Sequence, residues 1–171
     1  MPVNFTIYGP FTVPTKTKSI KGGKVKIKEL DVVDLWTRDV FCNFAKRKGC
    51  YVFANAVSKG SIPIYVGLTN CSFKQECFSP TKKTLLNDFL ADKRRTGLQI
   101  YFIVSDSNKD CSEEIDLCET LLIKKCKAAN KNLLNVKKIK SAAKFTIKSF
   151  HGEKSKPTKA VSDFKKCLNI K

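Results

Sequence analysis

Apolar and polar residues alternate between positions 3 and 13, around Phe5, Ile7, Phe11 and Val13, with Gly9-Pro10 between them. A period of two predicts a strand or a hairpin there. Lys16 to Lys28 reads as a basic connector with Gly22-Gly23 at its middle. Leu30, Val33, Leu35 and Trp36 then suit a short helix with acids in its first turn. The stretches 49–56 and 62–69 are apolar and β-branched, with Ser58-Lys59-Gly60-Ser61 between them, and predict an antiparallel hairpin.

Further along, the period lengthens. A short helix fits 72–78 and ends at Pro80, because proline restricts the residue before it and cannot extend a helix. Leu85, Leu86, Phe89 and Leu90 lie on one side of an amphipathic helix over 81–95, which Gly97 stops. Leu98 to Val104 is a compact apolar strand, and a helix from Ser112 runs to about Ala129. Leu133 to Val136 can return as a short strand, and a last helix fits 158–167. Strands and helices in this irregular order predict an α+β, or mixed α/β, domain with a small central sheet, antiparallel or mixed, flanked by helices. The 171 residues fit one domain, 1–171.

Charge changes the picture most. Lys and Arg number 33 against 15 Asp and Glu, for a net charge of +18. From Lys124 to Lys171 there are fifteen lysines and only two acids, Glu153 and Asp163. A field of that sign draws in polyanions, of which nucleic acid is the commonest inside cells. A solubilising lysine-rich surface is the competing explanation. The four arginines, Arg38, Arg47, Arg94 and Arg95, are few. Lysine binds phosphate as a point charge, so the charge speaks for backbone affinity more than for sequence recognition. Lys82, Lys83, Lys137, Lys138 and Lys140 are the candidate nucleic-acid contacts.

Eight cysteines and one histidine, His151, contain no C-x-x-C pair, so zinc is not expected. No basic-then-apolar leader opens the chain, and no apolar run is long enough to span a membrane. The expectation is a cytoplasmic, intracellular protein with reduced cysteines packed as small apolar groups, and with no membrane partner.

One residue stands out chemically. Ile115, Leu122 and Cys126 line one face of the 112–129 helix, and Glu119 falls inside that stripe, whereas Glu113, Glu114 and Asp116 lie toward other faces. A carboxylate at such a position is costly unless it is paired, protonated or bound to metal. An ion pair with lysine or a boundary position would also account for it. Tyr51 and Tyr65, on the two predicted hairpin strands, can rise from one sheet face, although strand tyrosines are usually packing residues.

Together these residues resemble the GIY-YIG nuclease family. Gly49-Cys50-Tyr51 is similar to the family's first triplet, with Cys at the usual Ile position, and Tyr65-Val66-Gly67 to the second. The spacing between the triplets is slightly longer than usual. Leu117 to Ile123 resembles the helix that carries the metal-binding Glu, and Leu134-Asn135 the closing Asn. The resemblance covers a core over 49–136, leaving an N-terminal extension over 1–48 and a basic C-terminal extension over 137–171.

The resemblance implies a compact mixed sheet flanked by helices and phosphodiester hydrolysis with one divalent ion, Mg²⁺ or Mn²⁺. Glu119 would hold the metal, Tyr51 and Tyr65 would position or deprotonate the attacking water, and Gly49, Gly67 and Asn135 would be structural. One departure is evident. The family carries an Arg on the helix after the second triplet, where this chain has Lys74, Gln75 and Glu76. Lys74 is the candidate replacement for that phosphate clamp, though it lacks a rigid fork of donors. A metal-dependent DNA endonuclease is the leading expectation. The alternatives are a nucleic-acid-binding or inhibitory protein on an inactive scaffold of this type, and a basic protein that docks an acidic partner.

Overall fold

The structure is a computed structural model that describes residues 3–20, 25–92, 95, 97–107, 110–135 and 158–170. It has α+β architecture. Four strands, β1 (Phe5–Val13), β4 (Gly49–Val57), β5 (Gly60–Thr69) and β6 (Leu98–Ser105), form an antiparallel sheet in the order β1-β6-β4-β5. Strands β2 (Thr15–Ile20) and β3 (Val25–Leu30) form a separate two-stranded ribbon. The helices are α1 (Asp39–Cys42), α2 (Phe73–Glu76), α3 (Pro80–Leu90), α4 (Ser112–Ala129) and α5 (Lys159–Cys167).

The two central strands are apolar at nearly every position because both faces of the sheet are covered. Successive strand side chains point to opposite faces. Cys50, Val52 and Ala54 of β4, with Val66, Tyr101 and Ile103, pack against the apolar stripes of α4 and α5. Tyr51 and Phe53, with Ile100, Phe102 and Val104, meet the segment around α1 together with α2 and α3. This second face is largely aromatic. Phe102 is its hub, with ring centroids 4.8 Å from both Phe44 and Phe73, a spacing at which aromatic pairs attract beyond their area burial.

Several boundaries differ from the sequence expectation. Residues 16–20 and 25–28 are not a connector but belong to the two strands of the β2–β3 ribbon, and 21–24 lie outside the described residues. Its lysines alternate with Thr, Ser and Ile, so no apolar face announces the strands. The ribbon is rooted on α3 instead, where Leu30 N donates to Asn87 Oδ1 at 2.8 Å and Lys28 Nζ to the Arg95 carbonyl at 3.3 Å. The expected helix around Leu30 is replaced by the end of β3, a single 3₁₀ turn at Leu35–Thr37 and the short α1. Pro80 does not simply end a helix: it opens α3 at the first turn, where its missing N–H is no loss, and α3 finishes at Leu90 rather than near 95.

The edge of β5 is closed off by the chain that follows α4. Leu134 N donates to the Ile64 carbonyl at 2.8 Å, and Asn130 Nδ2 to the Pro63 carbonyl at 2.7 Å. Asn135 clasps Val66 from both sides, accepting from its N–H at 2.8 Å and donating to its C=O at 2.7 Å. Residues 133–135 therefore shield an exposed strand edge with side-chain and backbone bonds rather than as the expected regular strand, and Val136 lies outside the described residues. The last helix follows the sequence closely, with Thr158 accepting a bond from Val161 N as its N-cap. Among the described residues no helix is long and apolar enough to cross a membrane.

Candidate functional site

Tyr51 sits near the start of β4 and is fully buried. Its ring stands edge-on to Phe53 and Phe73, with centroids 5.6 and 6.3 Å away. Gly67 lies directly across the β4–β5 ladder. A Cβ at Gly67 would fall 2.8 Å from Tyr51 Cε2, and nearer still to Cζ and the hydroxyl. Ordinary carbon contacts are about 3.5–4.0 Å, so glycine here makes room for the tyrosine. Gly49 does a different job. Its φ of +143° and its close approach to the Ile103 carbonyl seat the start of β4 against β6.

Tyr65 reaches the same side of the sheet by the regular alternation, two residues from Gly67, and an irregularity then adds Ile64 to that face. Phe53 pairs with Tyr65 but Ala54 with Pro63, so Ile64 is an extra residue in β5. The bulge interrupts the alternation, and Ile64 and Tyr65 both belong to the aromatic face. Tyr51 and Tyr65 have ring centroids 6.4 Å apart.

Glu119 is 8% exposed among Ile115, Cys118, Leu122 and Ile123, as the apolar stripe predicts. Although α4 covers the other sheet face, Glu119 opens at the β5 edge into a cleft of ≈ 530 Å³ that Tyr51, Tyr65 and Gly67 also line. Asn135 closes one wall of that cleft, and Glu76, Lys82 and Asp116 are on its rim. The cleft thus brings together Tyr51, Tyr65, Glu119, Gly67 and Asn135, and adds Lys82 from the candidate nucleic-acid contacts.

Other candidates fall elsewhere. Lys74 is exposed on α2 and does not line the cleft. Four-residue α2 ends at Glu76, and the chain turns at Ser79-Pro80 before α3 begins. That turn brings Lys82, not Lys74, to the tyrosines. Lys83, one residue on, faces solvent. Lys137, Lys138, Lys140 and His151 lie outside the described residues.

Lys82 is held in place. Its ammonium pairs with the Glu76 carboxylate, donates to the Glu76 carbonyl at 3.0 Å, and lies 5.9 Å from the Tyr51 ring centroid. Sequence reading put Asp116 on another face from Glu119. Three residues along a helix return to within about 60° of the same direction, and Asp116, though exposed, borders the same cleft.

The electrostatics follow from this inventory. Among the described residues the cleft is lined by three carboxylates, Glu76, Asp116 and Glu119, and by the Lys82 ammonium. Burial pushes the Tyr51 phenol far above its ordinary value of 10, and the neighbouring Cys77, Tyr65, Glu76 and Glu119 add to the shift. Tyr65 is raised by burial first and then by Glu119 and Glu76. Both phenols are therefore neutral at physiological pH. The Tyr51 hydroxyl is buried with no hydrogen-bond partner among the described residues, an unusual arrangement for so large a core residue.

These groups can hold a hard cation. Carboxylate and phenol oxygens suit Mg²⁺ or Mn²⁺, and among the described residues no His or Cys lines the cleft. Mg²⁺ commonly takes only one or two carboxylates and completes its shell with water and substrate phosphate. Among the described residues no three His, Cys, Asp or Glu side chains come together as a self-sufficient metal cluster. Six of the cysteines are buried in the two cores, and Cys42 and Cys71 are exposed; all eight are free thiols. The chain matches no family model, no curated protein and no solved structure.

Proposed function

We propose that this chain is a divalent-metal-dependent endonuclease that hydrolyses phosphodiester bonds in DNA. The observation that carries the reading is the single cleft where Glu119, Tyr51, Tyr65 and Lys82 meet. A phosphodiester brought against the carboxylates of this cleft calls for a cation beside it, and their oxygens are the donors a hard cation takes. Glu119 would hold Mg²⁺ or Mn²⁺, with Asp116 lining the same cleft. When bound, the ion supplies positive charge to the phosphate and leaving oxygen.

The chain's own residues supply the rest. Lys82 exchanges its partner, Glu76, for a phosphate oxygen. The two phenols, kept neutral by burial, orient the attacking water by accepting its hydrogens or donating to its oxygen. They position the water rather than act as phenolate bases. The unpartnered Tyr51 hydroxyl has its donor and its lone pairs free for this task. The net charge of +18 gathers the polyanion from solution.

The test is incubation of the protein with supercoiled, linear and single-stranded DNA in Mg²⁺, in Mn²⁺ and in chelator. Nicking that requires the metal supports the reading, and no cleavage under any condition refutes it. A second reading, DNA binding without cleavage, is favoured by one observation. Among the described residues no arginine lines the cleft, and Lys82 is engaged by Glu76. Retained, salt-sensitive DNA affinity without cleavage would select it.

A further inference from the structure

The cleft around Glu119 does not stop at Tyr65. A second depression of ≈ 650 Å³ continues on the far side, sharing Tyr65 and Lys82 with the first. Its floor is a stripe of α3. Thr81, Thr84, Leu85 and Asp88 lie at i, i+3, i+4 and i+7, one face of a helix. The two halves of the groove differ in chemistry. Lys82, where they join, offers positive charge. Asp88, about 9 Å farther along the helix axis, is an exposed carboxylate that repels phosphate and accepts hydrogen bonds from neutral N–H and O–H groups.

Between these charges lie an aromatic ring and an aliphatic side chain. Tyr65 and Leu85 are both half-buried, so each presents an apolar surface without being sealed into the core. Thr84 donates its hydroxyl to the Pro80 carbonyl at 3.2 Å, which leaves its oxygen lone pairs as acceptors. A depression of this size, with hydroxyl and charged groups around an aromatic ring and an aliphatic side chain, suits one small planar ligand.

We infer that the α3 half of the groove is a nucleoside subsite. It takes the base and sugar of the nucleotide whose phosphate sits at Lys82. The base lies against Tyr65 and Leu85, and its exocyclic amino or ring N–H groups, or the sugar hydroxyl, donate to Asp88 and the threonines. Base–aromatic contact of this sort tolerates any base, because every base has a π-face. The inference rests on the proposed placement of a phosphodiester in the Glu119 cleft.

The experiment is an NMR titration of ¹⁵N-labelled full-length protein with thymidine 5′-monophosphate, with thymidine and with inorganic phosphate, each in Mg²⁺. The nucleotide should move the amide resonances of Thr84, Leu85 and Asp88 together with those of Gly67 and Leu68. Inorganic phosphate should move only the second group. Leu85→Ala and Asp88→Asn should each weaken nucleotide binding by about fivefold, roughly 1 kcal/mol, and leave phosphate binding unchanged. The α3 shifts in wild-type protein also guard against a variant that fails to fold. Identical patterns for nucleotide and phosphate, or no response on α3 at saturating nucleotide, would overturn the subsite. Protein that nicks DNA but shows a silent α3 loses the subsite and keeps the nuclease reading. Protein that shifts at α3 but never nicks loses the nuclease reading and keeps the subsite.

Discussion

Replacing Gly67 by Ala tests how the fold builds the cleft. The added Cβ would stand 2.8 Å from Tyr51 Cε2 and closer to Cζ and the hydroxyl, where about 3.5–4.0 Å is comfortable. One atom or the other must move by about an ångström. Tyr51 has little room to yield, because it is fully buried and boxed by Phe53 and Phe73. Overpacking a filled core costs about 1–3 kcal/mol. For a chain of this size each kcal/mol lowers Tm by about 2–4 °C, so Gly67→Ala should melt roughly 2–12 °C below wild type. Tyr51→Leu removes every ring atom that the new methyl meets. In that background Gly67→Ala should cost under about 0.5 kcal/mol, as expected for sites that no longer interact. Denaturant unfolding of the four proteins measures the coupling. If Gly67→Ala costs the same with and without Tyr51, the glycine is not there for the ring, and this account of the cleft wall is wrong.

Three more outcomes follow from the site and its surroundings. Tyr51→Phe removes a buried hydroxyl with no partner among the described residues. Such a group costs about 1–3 kcal/mol to bury, so the variant should melt at or above wild type while nicking at least about tenfold more slowly. A lower Tm by differential scanning fluorimetry would show the hydroxyl to be structural. Lys82→Ala should cut the nicking rate severely, whereas Lys74→Ala should leave it within about twofold, in the range of an exposed side chain away from the site; equal losses in a single-turnover assay would contradict the placement of the phosphate. At alkaline pH, burial holds Cys167 at about 11 and Tyr101 at about 12, against ordinary values of 9.0 and 10.0. The folded chain keeps protons that the unfolded chain has released, so stability should be whole below about pH 9 and fall steadily above it, with the buried Tyr51 phenol extending the fall past pH 12. Tyr101→Phe should flatten the upper part of that fall in urea melts taken at each pH, and an unchanged profile would remove Tyr101 from the explanation.

Part of the site could be read from the chain because burial leaves a pattern. Glu119 interrupts an apolar helical stripe and is visible without coordinates, whereas Tyr51 and Tyr65, which look like ordinary strand packing residues, stand out only through the resemblance of their triplets. The α+β architecture, the β4–β5 hairpin and the extents of α4 and α5 were legible from the pattern of burial. What escaped depends on tertiary geometry. Lys82 reaches the cleft only because the chain breaks at Ser79-Pro80 and restarts as α3. Its pairing with Glu76 spans six positions across that break, so no helical spacing announces it. Asp116 borders the cleft from an exposed position, and exposed acids carry no periodic signal. The β2–β3 ribbon is held by its ladder and by Asn87 rather than by an apolar face, so its lysines resembled a connector. The α3 groove is a stripe of Thr, Leu and Asp that becomes a surface feature only when Tyr65 stands beside it.

The central claim is that Glu119 holds the ion on which cleavage depends. Its most direct test compares wild type and Glu119→Gln for nicking of supercoiled DNA across a Mg²⁺ series, with DNA affinity measured on the same samples. Gln keeps the shape and the polar oxygen but removes the charge. The account predicts metal-dependent nicking by wild type, a loss of at least about a hundredfold in Glu119→Gln, and DNA affinity unchanged within about twofold, because lysines elsewhere supply it. Glu119→Gln that nicks as fast as wild type at every Mg²⁺ concentration would contradict it.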